Sequence, residues 1–159
     1  MTSAAPDEGM RAWRAFLRGH AAITRVLETE LVADHDLPLG LYDVLVQLSE
    51  APGRALRMRE LAEAVLLSRS GLTRLVDRMV RDGLVERRSC PSDARGTMAA
   101  LTDAGLQRIR DAAPDHLRGM REHFAGCYDK AELATLASLL ERLSDPEALP
   151  DPGGCAQVA

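Results

Sequence analysis

Apolar residues recur at helical spacing in six runs along this chain, broken once by two short extended segments. In the first run, Met10, Trp13, Phe16, Leu17, Ile23, Val26, Leu27 and Leu31 predict a helix over residues 10–33. At about 1.5 Å per residue it spans roughly 36 Å. Asp34-His35-Asp36-Leu37-Pro38 ends it, and Leu41, Val44, Leu45 and Leu48 define a second helix that stops near Ala51-Pro52-Gly53. Residues 54–57 read as a short strand that adds to a later hairpin.

Leu61, Ala62 and Val65 fall at i, i+1 and i+4 and mark a short third helix over residues 59–65. A fourth follows over residues 69–81, with Leu72, Leu75, Val76, Met79 and Val80 in one stripe. Ser68 is its natural N-cap, because a serine hydroxyl accepts from backbone N–H groups of the first turn. Asp82-Gly83 stops it, glycine taking the left-handed conformation past a C-cap without steric penalty. The period then changes: residues 84–88 and 97–101 are strand-length, and Ser89-Cys90-Pro91-Ser92-Asp93-Ala94-Arg95-Gly96 between them has turn composition.

Thr102 caps a fifth helix with Leu106, Ile109, Ala113, Leu117, Met120 and Phe124 inward, which Pro114 is expected to kink or interrupt. Asp129 with Glu132 has the spacing of a capping box. It opens a final helix carrying Leu133, Leu136, Leu139, Leu140 and Leu143. Pro146, Pro150, Pro152, Gly153 and Gly154 indicate a disordered tail over residues 145–159, and residues 1–9 a flexible N-terminus. The expectation is one domain over 10–144, mainly α with a small β-wing. The winged unit occupies 54–101, with dimerisation helices over 10–50 and 102–144.

Two helices joined at a tight turn, then a hairpin with basic residues at its bend, is the order of a winged helix-turn-helix. The residues Glu60-Leu61-Ala62, Ser70-Gly71-Leu72-Thr73-Arg74-Leu75-Val76-Asp77, Asp82-Gly83-Leu84-Val85-Glu86-Arg87 and Asp93-Ala94-Arg95, with Ala100-Leu101-Thr102-Asp103-Ala104-Gly105 soon after, resemble the multiple antibiotic resistance regulator (MarR) family of bacterial transcription factors. The resemblance extends from about Met10 to Ser144. It implies a homodimer with interleaved terminal helices below two outward-facing winged helices. By symmetry the operator is then an inverted repeat, with half-sites about one helical turn, roughly 34 to 36 Å, apart. It also implies regulation of transcription, by family habit repression.

Charge sharpens this reading. The net charge is −4. Residues 54–95 nevertheless hold ten arginines against six acids, net +4, leaving ten basic and 18 acidic residues elsewhere, net −8. The positive field is concentrated on the winged unit, as a surface facing double-stranded DNA requires. Lys130 is the one lysine among 20 basic residues, a bias that suggests a GC-rich bacterial genome. No apolar run has signal-peptide or membrane-span length, so no membrane partner is expected and the chain is read as cytoplasmic, at the nucleoid when bound to DNA.

Arg69, Ser70, Thr73, Arg74 and Arg78 fall on the polar side of the fourth helix and are the candidates to read base edges. Ser68 opens a helix start whose N–H groups suit a phosphate. At the wing, the resemblance implies that Arg95 enters the minor groove while Asp93, two residues before it, holds it in position. Arg87 and Arg88 are further DNA candidates, although strand alternation sends them to opposite faces.

The family commonly binds small aromatic or phenolic effectors where the dimer helices meet the winged unit. Trp13, Phe16 and His20 from the first helix and Asp43 from the second are the candidate lining, and a tryptophan and aspartate so placed are similar to urate- and purine-responsive members. Ordinary packing or dimer contact is the competing role for the aromatics. Cys90, beside Arg87 and Arg88, carries an alternative: a redox sensor in the same fold. The cysteines at 90, 127 and 155 form no disulfide framework or metal spacing, and His116 and His123 lack a partner ligand set, so neither metal nor cofactor is expected. Gly-rich phosphate loops, GxSxG and HExxH are absent from the sequence, which argues against an enzyme. A winged helix that binds only protein would carry a neutral or acidic fourth helix, unlike Arg69, Arg74, Arg78 and Arg81.

Overall fold

The computed structural model describes residues 7–65, 67–90 and 93–144, with backbone alone at 90, 93–96 and 144. Its elements run α1 (Glu8–His35), α2 (Leu39–Glu50), β1 (Ala55–Arg57), α3 (Met58–Ala64), α4 (Arg69–Arg81), β2 (Val85–Cys90), β3 (Asp93–Leu101), α5 (Asp103–His123) and α6 (Lys130–Ser144). This is the helical winged fold that the sequence pattern predicts. The three strands form one antiparallel sheet in the order β1-β3-β2. Residues 54–57 do contribute the third strand: Ala55, Leu56 and Arg57 pair with Ala100, Ala99 and Met98.

The core of the first compact unit, which runs to Met120, is built around α2. Leu41, Tyr42, Val44, Leu45 and Leu48 are all buried there, so α2 is covered on most of its circumference. Against it pack Leu61 and Ala62 of α3, Leu72, Val76 and Met79 of α4, Val85, Ala99 and Leu101 of the sheet, and Ile109 and Ala112 of α5. Removing this continuous apolar surface from water fixes the recognition unit on its scaffold. Val80, expected in the buried stripe of α4, is instead 37% exposed. Leu37, which the sequence places in a polar break, is buried.

The corner between α1 and α2 is held by polar groups. The Glu28 carboxylate accepts from the Leu39 N–H and so satisfies an orphan donor of α2, whose N-cap, Pro38, makes no side-chain cap bond. Asp36 takes the left-handed conformation, φ 47°, at the end of α1. Arg108 of α5 donates to the His35 and Asp36 carbonyls, and His35 Nε2 lies 2.9 Å from Asp115 Oδ2.

Several boundaries differ from the sequence expectation. α1 starts at Glu8, within the stretch expected to be flexible, where Asp7 accepts from the Gly9 N–H. The strands take over most of the expected turn, since β2 continues to Cys90 and β3 begins at Asp93, with a register shift at Ser89/Cys90. Pro114 does not interrupt α5, which runs unbroken through it. Pro114 and Arg110, whose carbonyl loses its donor, both lie on the exposed side, where water can replace the missing bond. Leu117, expected inward, is 41% exposed. In the second unit, from Arg121, α6 opens on the expected capping box: the Glu132 N–H donates to Asp129 Oδ1 and the Asp129 N–H to Glu132 Oε2, both at 2.9 Å. The expected tail, 145–159, lies outside the described residues.

Candidate nucleic-acid interface

The start of α4 follows directly from its sequence. Ser68 is extended, with φ −64° and ψ 150°, and its hydroxyl accepts from the Gly71 N–H at 3.1 Å. A Cβ at position 71 would sit 3.1 Å from that hydroxyl, so glycine leaves the cap its room. With Leu72, Val76 and Met79 turned into the core, the opposite side of α4 faces outward. There Arg69, Ser70, Thr73 and Arg74 line one shallow, open depression. The Thr73 hydroxyl donates to the Arg69 carbonyl at 2.8 Å, and Ser70 Oγ is 3.3 Å from Ser68 Oγ.

The arginines of this face divide into two groups. Arg69 and Arg74 make no ion pair with any described residue, so both guanidiniums present uncompensated charge and all their donors to solvent. Arg78 is held by Asp82 at 3.7 Å, Arg87 by Asp77 at 2.8 Å and Arg88 by Glu86 at 2.6 Å. A planar fork of donors facing outward from a helix is the arrangement that meets guanine N7 and O6 or a phosphate bidentately. The side chains of Asp93, Arg95 and Cys90 lie outside the described residues. The backbones of Cys90 and Asp93 pair β2 with β3, and Arg95 lies within β3.

The joint below the wing is tight. Thr102 donates to the Gly83 and Leu84 carbonyls, at 2.7 and 3.0 Å, and accepts from the Gly105 N–H at 3.0 Å. A Cβ on Gly105 would fall 2.2 Å from the Leu84 carbonyl oxygen. Gly83 itself has φ 73°, the left-handed value expected of it.

The four candidate effector residues do not form one site within a chain. Trp13, Phe16 and His20 stack successively along α1, with ring centroids 6.0 and 6.4 Å apart, and Trp13 is 54% exposed. Asp43 instead interacts with Glu28 and His116. Glu28 lies fifteen residues after Trp13 on the same helix, about 22 Å along its axis. Within one chain, Asp43 thus stands apart from the three ring-bearing residues of α1.

Around Asp43 a different cluster forms that the sequence did not single out. The Tyr42 ring lies 4.5 Å from the His116 ring, and His116 Nδ1 is buried with no hydrogen-bond partner among the described residues. Burial lowers the His116 pKa, with Asp43 and Glu30 opposing. Burial raises that of Asp43, with His116 opposing and Glu28 adding. Tyr42 is raised by burial and by Asp43. No sequence signal could join these groups, because α2 and α5 meet only through the tertiary fold. Among the described residues no three metal-ligating side chains come together, and no helix is long and apolar enough to cross a membrane.

A family model described as "MarR family" matches residues 35–96. The chain is similar to AbsC, a MarR family transcriptional regulator from Streptomyces coelicolor, at 34% identity and a TM-score of 0.81, over 89% of this chain and 96% of that one. It is similar to Sco3205, a MarR family regulator from the same organism solved in complex with DNA, at 30% identity and a TM-score of 0.81, over 90% of each chain. The transcriptional repressor YetL of Bacillus subtilis is 30% identical over 115 residues, 70% of this chain and 69% of YetL.

Proposed function

The chain belongs to the MarR family of DNA-binding transcriptional regulators, and from that premise we propose that it is a homodimeric repressor of an inverted-repeat operator, relieved by a small aromatic effector. The observation that carries the DNA contact is the pair of uncompensated guanidiniums, Arg69 and Arg74, in one outward depression of α4 with Ser70 and Thr73. In this reading α4 lies in the major groove, Arg69 and Arg74 meet base edges or phosphates, and the N-terminus of α4 faces the backbone. Arg95 reaches the minor groove from the wing, with Asp93 holding it. Repression is supported by the name of YetL, and DNA binding by the Sco3205 complex.

Dimerisation is supported by apolar residues that neither terminal region covers by itself. Met10, Trp13, Phe16 and Leu17 of α1 are 42–54% exposed, and Leu139 and Leu143 of α6 are 52% and 54% exposed. Such faces mark an interface when they are contiguous. An effector that changes the separation of the two recognition helices releases DNA. The protein acts on DNA in the cytoplasm.

The experiment is footprinting of the purified protein on DNA upstream of its own gene, with and without salicylate or urate. Two protected half-sites about one helical turn apart, roughly 34 to 36 Å, support the dimeric operator. A single asymmetric patch contradicts it, and indifference to every aromatic acid and purine tested contradicts the effector assignment.

A further inference from the structure

Among the described residues, one side-chain ion pair joins the recognition helix to the wing: Arg87 Nη2 of β2 lies 2.8 Å from Asp77 Oδ1 of α4. Arg78 with Asp82, Arg88 with Glu86 and Arg59 with Glu63 stay within one element or its cap, and Arg54 pairs outside the unit with Asp103 of α5. β2 is already fixed to α4 at its base, where the Leu84 N–H donates to the Met79 carbonyl. Arg87 stands three residues further along the strand, about 10 Å above that point. A second attachment there determines the angle between wing and helix, which the turn alone leaves adjustable. On the helix, Asp77 is one turn from Thr73 and Arg74, so the pair anchors the wing beside the residues that face DNA.

We propose that Asp77 and Arg87 are positioning residues, a strut that sets the wing at the angle from which its tip reaches DNA while α4 occupies the major groove. Arg87 is then committed to Asp77 and is not a primary DNA contact. The proposal rests on the DNA-binding reading above and deepens it. Its most specific consequence concerns Asp77. Deleting an acid from a surface that faces phosphates tightens binding if charge alone matters. A strut predicts the opposite, a weakening of roughly three- to tenfold, the scale of modest coupling between neighbouring groups.

The test uses the full-length protein and a duplex that the wild type selects from a random pool. Asp77→Ala and Arg87→Ala are each expected to weaken binding and lose protection at the flanks of the footprint, where the wing lies, while central protection by α4 remains. Arg87→Lys, which keeps the charge, and the exchange of Asp77→Arg with Arg87→Asp should each recover flank protection. Tighter binding by Asp77→Ala overturns the strut. So does Arg87→Ala that keeps its flanks while its salt slope falls by about one, the signature of a lost phosphate contact. Amide exchange of the free protein separates this from failure of the DNA reading. Faster exchange in β2 and β3 of Asp77→Ala, with α2 unchanged, supports the strut even if no duplex is selected, and unchanged exchange there overturns it.

Discussion

Arg74 shows how the chemistry of one residue depends on what stands beside it. Several arginines lie on the winged unit, but Asp77, Asp82 and Glu86 already engage Arg87, Arg78 and Arg88, whereas Arg74 and Arg69 have no such partner among the described residues. Replacing Arg74 by alanine should cost about 1–3 kcal/mol of operator binding if it meets a base, with relaxed selectivity at that base pair. Arg95→Ala should weaken binding and reduce the slope of log K against log salt by about one, if the wing contact is to phosphate and groove. Quantitative binding on operator variants measures both. Unchanged affinity across salt for Arg95→Ala would remove the wing from the interface.

His116 carries the residue-scale prediction about stability. Burial holds its pKa below the ordinary 6.5, so the folded chain takes up that proton less readily than the unfolded one. The resulting contribution is unfavourable as pH falls through 6.5, and stability drops there. Asp43, held above its ordinary 3.8, works in the opposite direction at lower pH, where its neutral form is favoured in the fold. His116→Phe keeps a ring against Tyr42 and removes the titration. Its melting temperature relative to wild type should therefore rise as pH is lowered from about 7.5 to about 5.5. A constant difference would show that His116 takes up its proton equally readily folded and unfolded, against the lowered pKa.

At the scale of elements, the joint between α4, β2 and α5 is closed by Thr102 and Gly105. Gly105→Ala would drive a Cβ into the Leu84 backbone carbonyl, which cannot yield cheaply, with a side-chain methyl of Leu101 2.7 Å away. A loss of about 1–3 kcal/mol in urea unfolding is the expected result of such overpacking. The helices were legible because each carries its own period and punctuation: Ser68 at the start of α4, Gly83 at its end, and Asp129 with Glu132 at α6. The wing was less so. Turn-forming residues between 89 and 96 indicate a bend, yet β2 runs on to Cys90 and β3 begins at Asp93, with Ser89 and Cys90 paired to Thr97 and Asp93, because ladder hydrogen bonds override weak local preference. Pro114 misled in the opposite direction: on an exposed face the cost of its missing bond falls on a carbonyl that water can serve. The Tyr42, Asp43 and His116 cluster had no sequence signature, since α2 and α5 are brought together only by the apolar core.

For the whole molecule, the exposed apolar residues of α1 and α6 call for a partner. Sedimentation equilibrium should give about twice the 17.3 kDa of one chain. Trp13→Asp should shift the protein toward monomer and weaken operator binding with it, because each half-site then loses the tethering of the other. A monomeric wild type that still protects two half-sites would contradict this.

The measurement that tests the central claim most directly is the affinity for upstream DNA, against a scrambled duplex of equal length, across a salt series. A regulator that places Arg69, Arg74 and the wing on the phosphate backbone must release counterions. Its log K should fall linearly with log salt, while the preference for the operator persists. Binding that ignores salt, or that treats both duplexes alike at every salt concentration, would contradict the assignment of α4 and the wing as a sequence-reading surface.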